Sequence, residues 1–90
     1  MFEMLERVFG PLRRYTAEFY SECAEEAWQS DFFEKDGKKS FFVVLLSDEE
    51  DPCFMVYLWR EEGFFWISKS SNDVFKTEEE ALKLKEELLR

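Results

Sequence analysis

The sequence SFFVVLL, from Ser40 to Leu46, is apolar at odd and even positions alike after its first residue. Cys53 to Trp59 and Phe64 to Ile67 share this pattern. A strand with one face in water alternates apolar and polar residues, so these segments predict a sheet that needs cover on both faces. Alternate residues belong to opposite faces, with Phe41, Val43 and Leu45 on one and Phe42, Val44 and Leu46 on the other. Any part of a face that the helices leave uncovered is a candidate contact surface.

The composition predicts one folded domain over residues 1–90. Hydrophobic residues make up 46% of the chain, including eleven Phe, three Trp and three Tyr, which is ample material for a core and excludes disorder. No apolar run approaches the ~20 residues of a membrane helix. Glu3 and Glu6 leave the N-terminus without the basic start of a secretion signal. We therefore expect a soluble, cytoplasmic protein with no membrane contact.

Two helices are expected at the N-terminus. Phe2, Leu5, Val8 and Phe9 recur at helical spacing until Gly10-Pro11 ends the first helix. From Leu12 the apolar residues step by three or four, which predicts a second helix that runs to about Trp28. The residues of its apolar stripe are Tyr15, Phe19, Cys23 and Ala27.

The rest of the chain predicts strands and a final helix. A short edge strand over Asp31 to Lys35 leads through Asp36-Gly37, a pair that suits a tight hairpin turn, into the three apolar strands. Thr77 and Glu80 have the spacing of a capping box that opens the last helix. The predicted fold class is α+β: two N-terminal helices, a four-stranded antiparallel meander and a C-terminal helix packed on the sheet.

The residue types argue against catalysis. The chain has no histidine, so the commonest general base at neutral pH is missing. Cys23 and Cys53 lack both CxxC spacing and a histidine partner, and we interpret them as buried free thiols. The glycines are scattered, and Asp48 to Asp51 lacks the spacing of a calcium loop. We expect no catalytic residue, no metal site and no cofactor.

Acidic residues are the most suggestive functional feature. The chain has 21 acidic against 12 basic residues and a net charge of −9, which makes direct binding to nucleic acid unfavourable. Within the predicted second helix, acids at a spacing of four fall on one side and can roughly imitate a row of phosphates. The candidate partner-binding residues are Glu18, Glu22, Glu25 and Glu26, then Asp48, Glu49, Glu50 and Asp51, and finally Glu61 and Glu62.

This pattern favours a small acidic inhibitor that occupies the basic, nucleic-acid-binding surface of another protein, such as a nuclease, as DNA mimics and anti-CRISPR proteins do. A solvated acidic surface that only keeps the domain soluble is the competing interpretation.

Two alternatives remain open. An aromatic sheet face could bind a hydrophobic partner or a second copy of the chain, since aromatic residues are enriched at the centres of interfaces. Phe65 and Ile67 would belong to one face, and Tyr57, Trp59 and Trp66 to the other. The other hypothesis is an engineered scaffold without a natural function, which the strong capping and the low glycine content would suit.

Overall fold

Two helices pack on one face of an antiparallel sheet in this protein. The computed structural model describes residues 2–15, 26–46, 53–71 and 73–90. In chain order the elements are α1 (Phe2–Phe9), β1 (Leu12–Arg14), β2 (Glu26–Ser30), β3 (Phe33–Lys35), β4 (Lys38–Leu46), β5 (Phe54–Glu62), β6 (Phe65–Ser70) and α2 (Glu78–Leu88). No helix in these ranges is long and apolar enough to cross a membrane.

The α+β class is confirmed, but the predicted four-stranded meander is wrong. The described residues form six strands in the order β1-β2-β4-β5-β6, with β3 paired to β4. β4 changes partner along its length, because β2 pairs with its second half, residues 43–46, and β3 with its first part, residues 38–40. The predicted run of hairpins is present only from β3 to β6, and all these pairs are antiparallel.

The predicted second helix, from Leu12 to about Trp28, is wrong at both of its described ends. Leu12–Arg14 is β1, Glu26–Ser30 is β2, and the two strands pair with each other. The apolar spacing of four misled because four is a multiple of two, so it keeps residues on one face of a strand as well as on one side of a helix. Tyr15 and Ala27 do lie together, in a cluster on the sheet rather than on a helix.

The prediction that β4 is buried on both faces is confirmed. Phe42 and Val44 belong to a large cluster with the apolar sides of α1 and α2, and we call this side of the sheet the helix face. Phe41, Val43 and Leu45 belong to a second cluster on the opposite face. Val43 and Val44 are both 0% exposed, so neither face of β4 is open to water at its centre.

The tight hairpin turn between β3 and β4 is confirmed. Asp36 and Gly37 have φ angles of 54° and 76°, the left-handed conformation that this pair tolerates.

The capping box of the last helix is confirmed too. The Thr77 hydroxyl accepts a hydrogen bond from the Glu80 backbone N–H at 3.2 Å, and Glu80 Oε1 accepts one from the Thr77 N–H at 3.1 Å. Phe75, 0% exposed, pairs with Phe54 just before this helix and ties it to the sheet.

Candidate binding surface

The hairpin of β5 and β6 carries the longest run of exposed large apolar residues within the described parts of the chain. Glu62 pairs with Phe65, so only Gly63 and Phe64 form the turn. Gly63 has a φ of 63°, which suits the first central position of a two-residue hairpin turn. Four consecutive residues, Phe64, Phe65, Trp66 and Ile67, are exposed, and we call them the aromatic hairpin.

The tip of the aromatic hairpin is the least covered part. Phe64 is 108% exposed, which means that none of the described residues shields it, and Phe65 is 62% exposed. Fully burying a Phe side chain is worth about 1.5–3 kcal/mol. The folded chain leaves most of that free energy unrealised at two adjacent residues.

The register places the aromatic hairpin on both faces of the sheet. Phe65 and Ile67 pair with Glu62 and Arg60 and lie on the helix face, while Trp66 pairs with Glu61 and lies on the opposite face. Trp66 is held by an edge-to-face contact with Phe41, with ring centroids 5.2 Å apart. The hairpin therefore presents one anchored ring and two unsupported ones.

The widths of helices and strands explain why α1 and α2 leave the helix face of β6 uncovered. A helix is about 10 Å wide and strands are about 4.8 Å apart, so two helices side by side cover about four strands. β6 is the fifth strand across the sheet and is the edge strand next to β5. Within the described residues, its outer edge pairs with no strand, which leaves a sheet edge along Phe65 to Lys69.

The opposite face of the hairpin has an aromatic border. Phe32 packs edge-to-face on Phe41, with centroids 5.4 Å apart, and lies 6.3 Å from the Trp66 ring. The Lys39 ammonium sits 4.3 Å from the centre of the Phe32 ring, a cation–π contact. The aromatic surface thus continues from β6 across to the residue before β3.

Most of the acidic residues predicted to bind a partner lie outside the described residues. These are Glu18, Glu22, Glu25, Asp48, Glu49, Glu50 and Asp51. Glu26 is described, and it lies on the strand β2 instead of on the predicted helix. Its carboxylate is 3.7 Å from Arg14 Nη2, so its charge is partly neutralised.

Glu61 and Glu62 do not form one acidic cluster. They are neighbours on β5, so they point to opposite faces of the sheet. Glu62 pairs with the Lys38 ammonium and with Arg60 Nη2, the latter at 2.9 Å. The hydrogen bond from Lys38 is the main cause that lowers the pKa of the Glu62 carboxyl. Glu61 is exposed and makes no salt bridge to any described residue.

Only one of the two cysteines lies within the described residues. Cys53 carries a thiol and is half-buried just before β5, while Cys23 lies outside the described residues.

A comparison of the chain with known protein families, with curated proteins and with solved structures finds no match.

Proposed function

We propose that this protein is a binding domain that acts through the aromatic hairpin and recognises an extended apolar segment of a partner protein. The observation that carries the proposal is the full exposure of Phe64 next to Phe65, at the start of a strand whose outer edge pairs with no strand of the described part of the chain. Contiguous exposed apolar patches are uncommon on monomeric soluble proteins, and the larger ones mark interaction sites.

An added strand is the mode of binding that fits this geometry. An extended segment that pairs with β6 gains main-chain hydrogen bonds from the edge, and its alternate side chains meet the two faces of the sheet. On the helix face they would meet Phe65 and Ile67, and on the other face Trp66. The net charge of −9 disfavours a second copy of the chain as this partner, because like charges repel.

The test compares capture of partners by two variants. Phe64→Ser combined with Phe65→Ser removes the two unsupported rings, and we expect partner affinity to fall by at least about tenfold, since exposed aromatics that become buried are typical binding hot spots. Leu82→Ser is the matched control, because Leu82 is a large exposed apolar residue on α2, outside the hairpin. Binding that survives the double substitution, or that Leu82→Ser weakens equally, would contradict the proposal.

The charge of the chain supports a second candidate, an acidic inhibitor that occupies the basic surface of a nucleic-acid-binding protein. Such binding weakens steeply with added salt, whereas binding through buried aromatics does not. In this case a variant with Glu18→Gln, Glu22→Gln and Glu25→Gln folds but loses its partner, and the Phe64 and Phe65 substitutions have little effect. A complex of this variant that stays intact and insensitive to salt excludes the acidic inhibitor.

A further inference from the structure

A cavity of about 250 Å³ opens on the helix face, between the end of α2 and strands β5 and β6. Its apolar lining includes Leu58, Ile67 and Leu88. Ser68 and four basic residues also line it, and none of its lining residues is acidic. The basic residues are Lys35, Arg60, Lys69 and Arg90. The chain has 21 acidic and 12 basic residues, so a cavity lined by four basic and no acidic side chains runs against the average of the sequence.

The four basic residues are neutralised to different extents. The Lys35 ammonium is 2.9 Å from the Asp36 carboxylate, and Arg60 Nη2 is 2.9 Å from Glu62 Oε1. Lys69 is exposed on β6 and forms no salt bridge with a described residue. The cavity therefore has at least one cation that no carboxylate of the described ranges pairs with.

The Arg60 guanidinium has hydrogen-bonding capacity to spare. A guanidinium carries five N–H donors, and Glu62 is the acceptor described for Nη2. Arg60 Nε is buried and has no hydrogen-bond partner. A buried donor without an acceptor is unfavourable, so this side chain gains from any rearrangement that brings a second acceptor to it.

We propose that this cavity binds a small organic carboxylate with an apolar body. The carboxylate would lie by Lys69 and Arg60, where charge-assisted hydrogen bonds are stronger than neutral ones. The apolar body would lie on Leu58, Ile67 and Leu88. A cavity of about 150 Å³ already holds benzene, so this one has room for a short alkyl or aryl group together with the carboxylate.

The same chemistry can come from a free organic acid or from the C-terminal carboxylate of a peptide. Hexanoate represents the first source and N-acetyl-leucine the second. Their neutral counterparts are hexanol and N-acetyl-leucine amide. Phe64 and Phe65 do not line the cavity, so the variant with Phe64→Ser and Phe65→Ser should bind these carboxylates as the unsubstituted protein does.

The experiment is a titration of the isotope-labelled protein with each compound, monitored through the amide chemical shifts in NMR spectra. We expect saturable shifts at residues of β5, β6 and the end of α2 with millimolar hexanoate or N-acetyl-leucine, and affinities at least about tenfold weaker for the neutral counterparts. The carboxylate that binds more tightly identifies the source. Equal affinity for acids and neutral compounds, or no shifts around the cavity, would overturn the proposal.

Two substitutions test the cations. Lys69→Gln should weaken hexanoate binding by about fivefold to tenfold and leave the fold intact, because the Lys69 side chain is exposed. Lys83→Gln removes an exposed lysine of α2 that does not line this cavity, and it should leave binding unchanged. Arg60→Gln provides a second, independent variant. The proposal fails if Lys69→Gln and Arg60→Gln both bind hexanoate like the unsubstituted protein.

Discussion

Ser30 holds the sheet together at the point where β4 changes partner. The side chain is 1% exposed, its Oγ accepts a hydrogen bond from the Phe42 N–H at 2.8 Å, and its hydroxyl donates to the Asp31 carbonyl at 3.0 Å. Between the end of β2 and the start of β3 no strand residue pairs with Phe42 on that side. The serine hydroxyl takes the place of the missing ladder hydrogen bond.

Ser30→Ala should therefore destabilise the protein by about 1–3 kcal/mol, because it leaves the buried N–H of Phe42 without an acceptor. The measurement is urea unfolding followed by circular dichroism, and the midpoint should fall while the slope stays the same. Ser68→Ala removes an exposed serine hydroxyl from β6 and should change the midpoint little. Equal midpoints for the two variants would show that the Ser30 hydroxyl is not needed.

The sequence could not reveal the hydrogen bonds of the Ser30 hydroxyl or the cavity. Lys35, Arg60 and Lys69 come from β3, β5 and β6, and only the register of the sheet and the position of α2 bring them to one cavity. The aromatic hairpin was half predictable. Its apolar run indicated a strand with two apolar faces, but which residues stay uncovered depends on how many strands two helices can span.

At the scale of elements, α2 depends on its N-terminal capping box. Thr77 Oγ1 satisfies the N–H of Glu80, and Glu80 Oε1 accepts hydrogen bonds from the N–H groups of Lys76 and Thr77, both at 3.1 Å. Thr77→Ala should cost about 0.5–2 kcal/mol, and Thr77→Ser should cost much less because it keeps the hydroxyl. Chemical unfolding of both variants is the check, and equal losses would contradict a role for the hydroxyl.

The capping box also predicts a dependence on pH. The backbone N–H of Lys76 and then the Thr77 hydroxyl lower the pKa of the Glu80 carboxyl. A group whose pKa is lower in the folded state stabilises the fold above its unfolded pKa, about 4.3 for Glu, and this contribution is lost as the pH falls through the folded pKa. Glu80→Gln should therefore be less stable than the unsubstituted protein at neutral pH, and the difference should shrink at about pH 3. A difference that stays constant across this range would show that the charge of Glu80 is irrelevant.

The helices and strands were predictable where the sequence pattern fits only one kind of element. The run Ser40 to Leu46 and the Asp36-Gly37 turn predicted β4 and its hairpin, and the Thr77 and Glu80 spacing predicted the start of α2. From Tyr15 to Ala27 an apolar residue recurs every four positions. This spacing fits a helix and a strand equally, so the sequence could not distinguish the two there. Tertiary pairing with Leu45 and its neighbours places Ala27 in β2.

At the scale of the whole molecule, net charge and exposed apolar surface oppose each other. The charge of −9 keeps copies apart, while Phe64 and Phe65 offer an apolar tip that water solvates poorly. Repulsion between copies acts over the Debye length, which falls from about 10 Å at 0.1 M salt to about 3 Å at 1 M. The apolar attraction does not weaken with salt in this way.

The isolated protein should therefore be a monomer at low ionic strength and should associate weakly as salt is raised. Sedimentation velocity in a series of salt concentrations measures this directly, and the sedimentation coefficient should rise with salt. The variant with Phe64→Ser and Phe65→Ser should stay monomeric throughout, while Leu82→Ser should behave like the unsubstituted protein. If the double variant still associates at high salt, the apolar surface that self-associates lies elsewhere. That result would remove the reason for assigning partner binding to the aromatic hairpin.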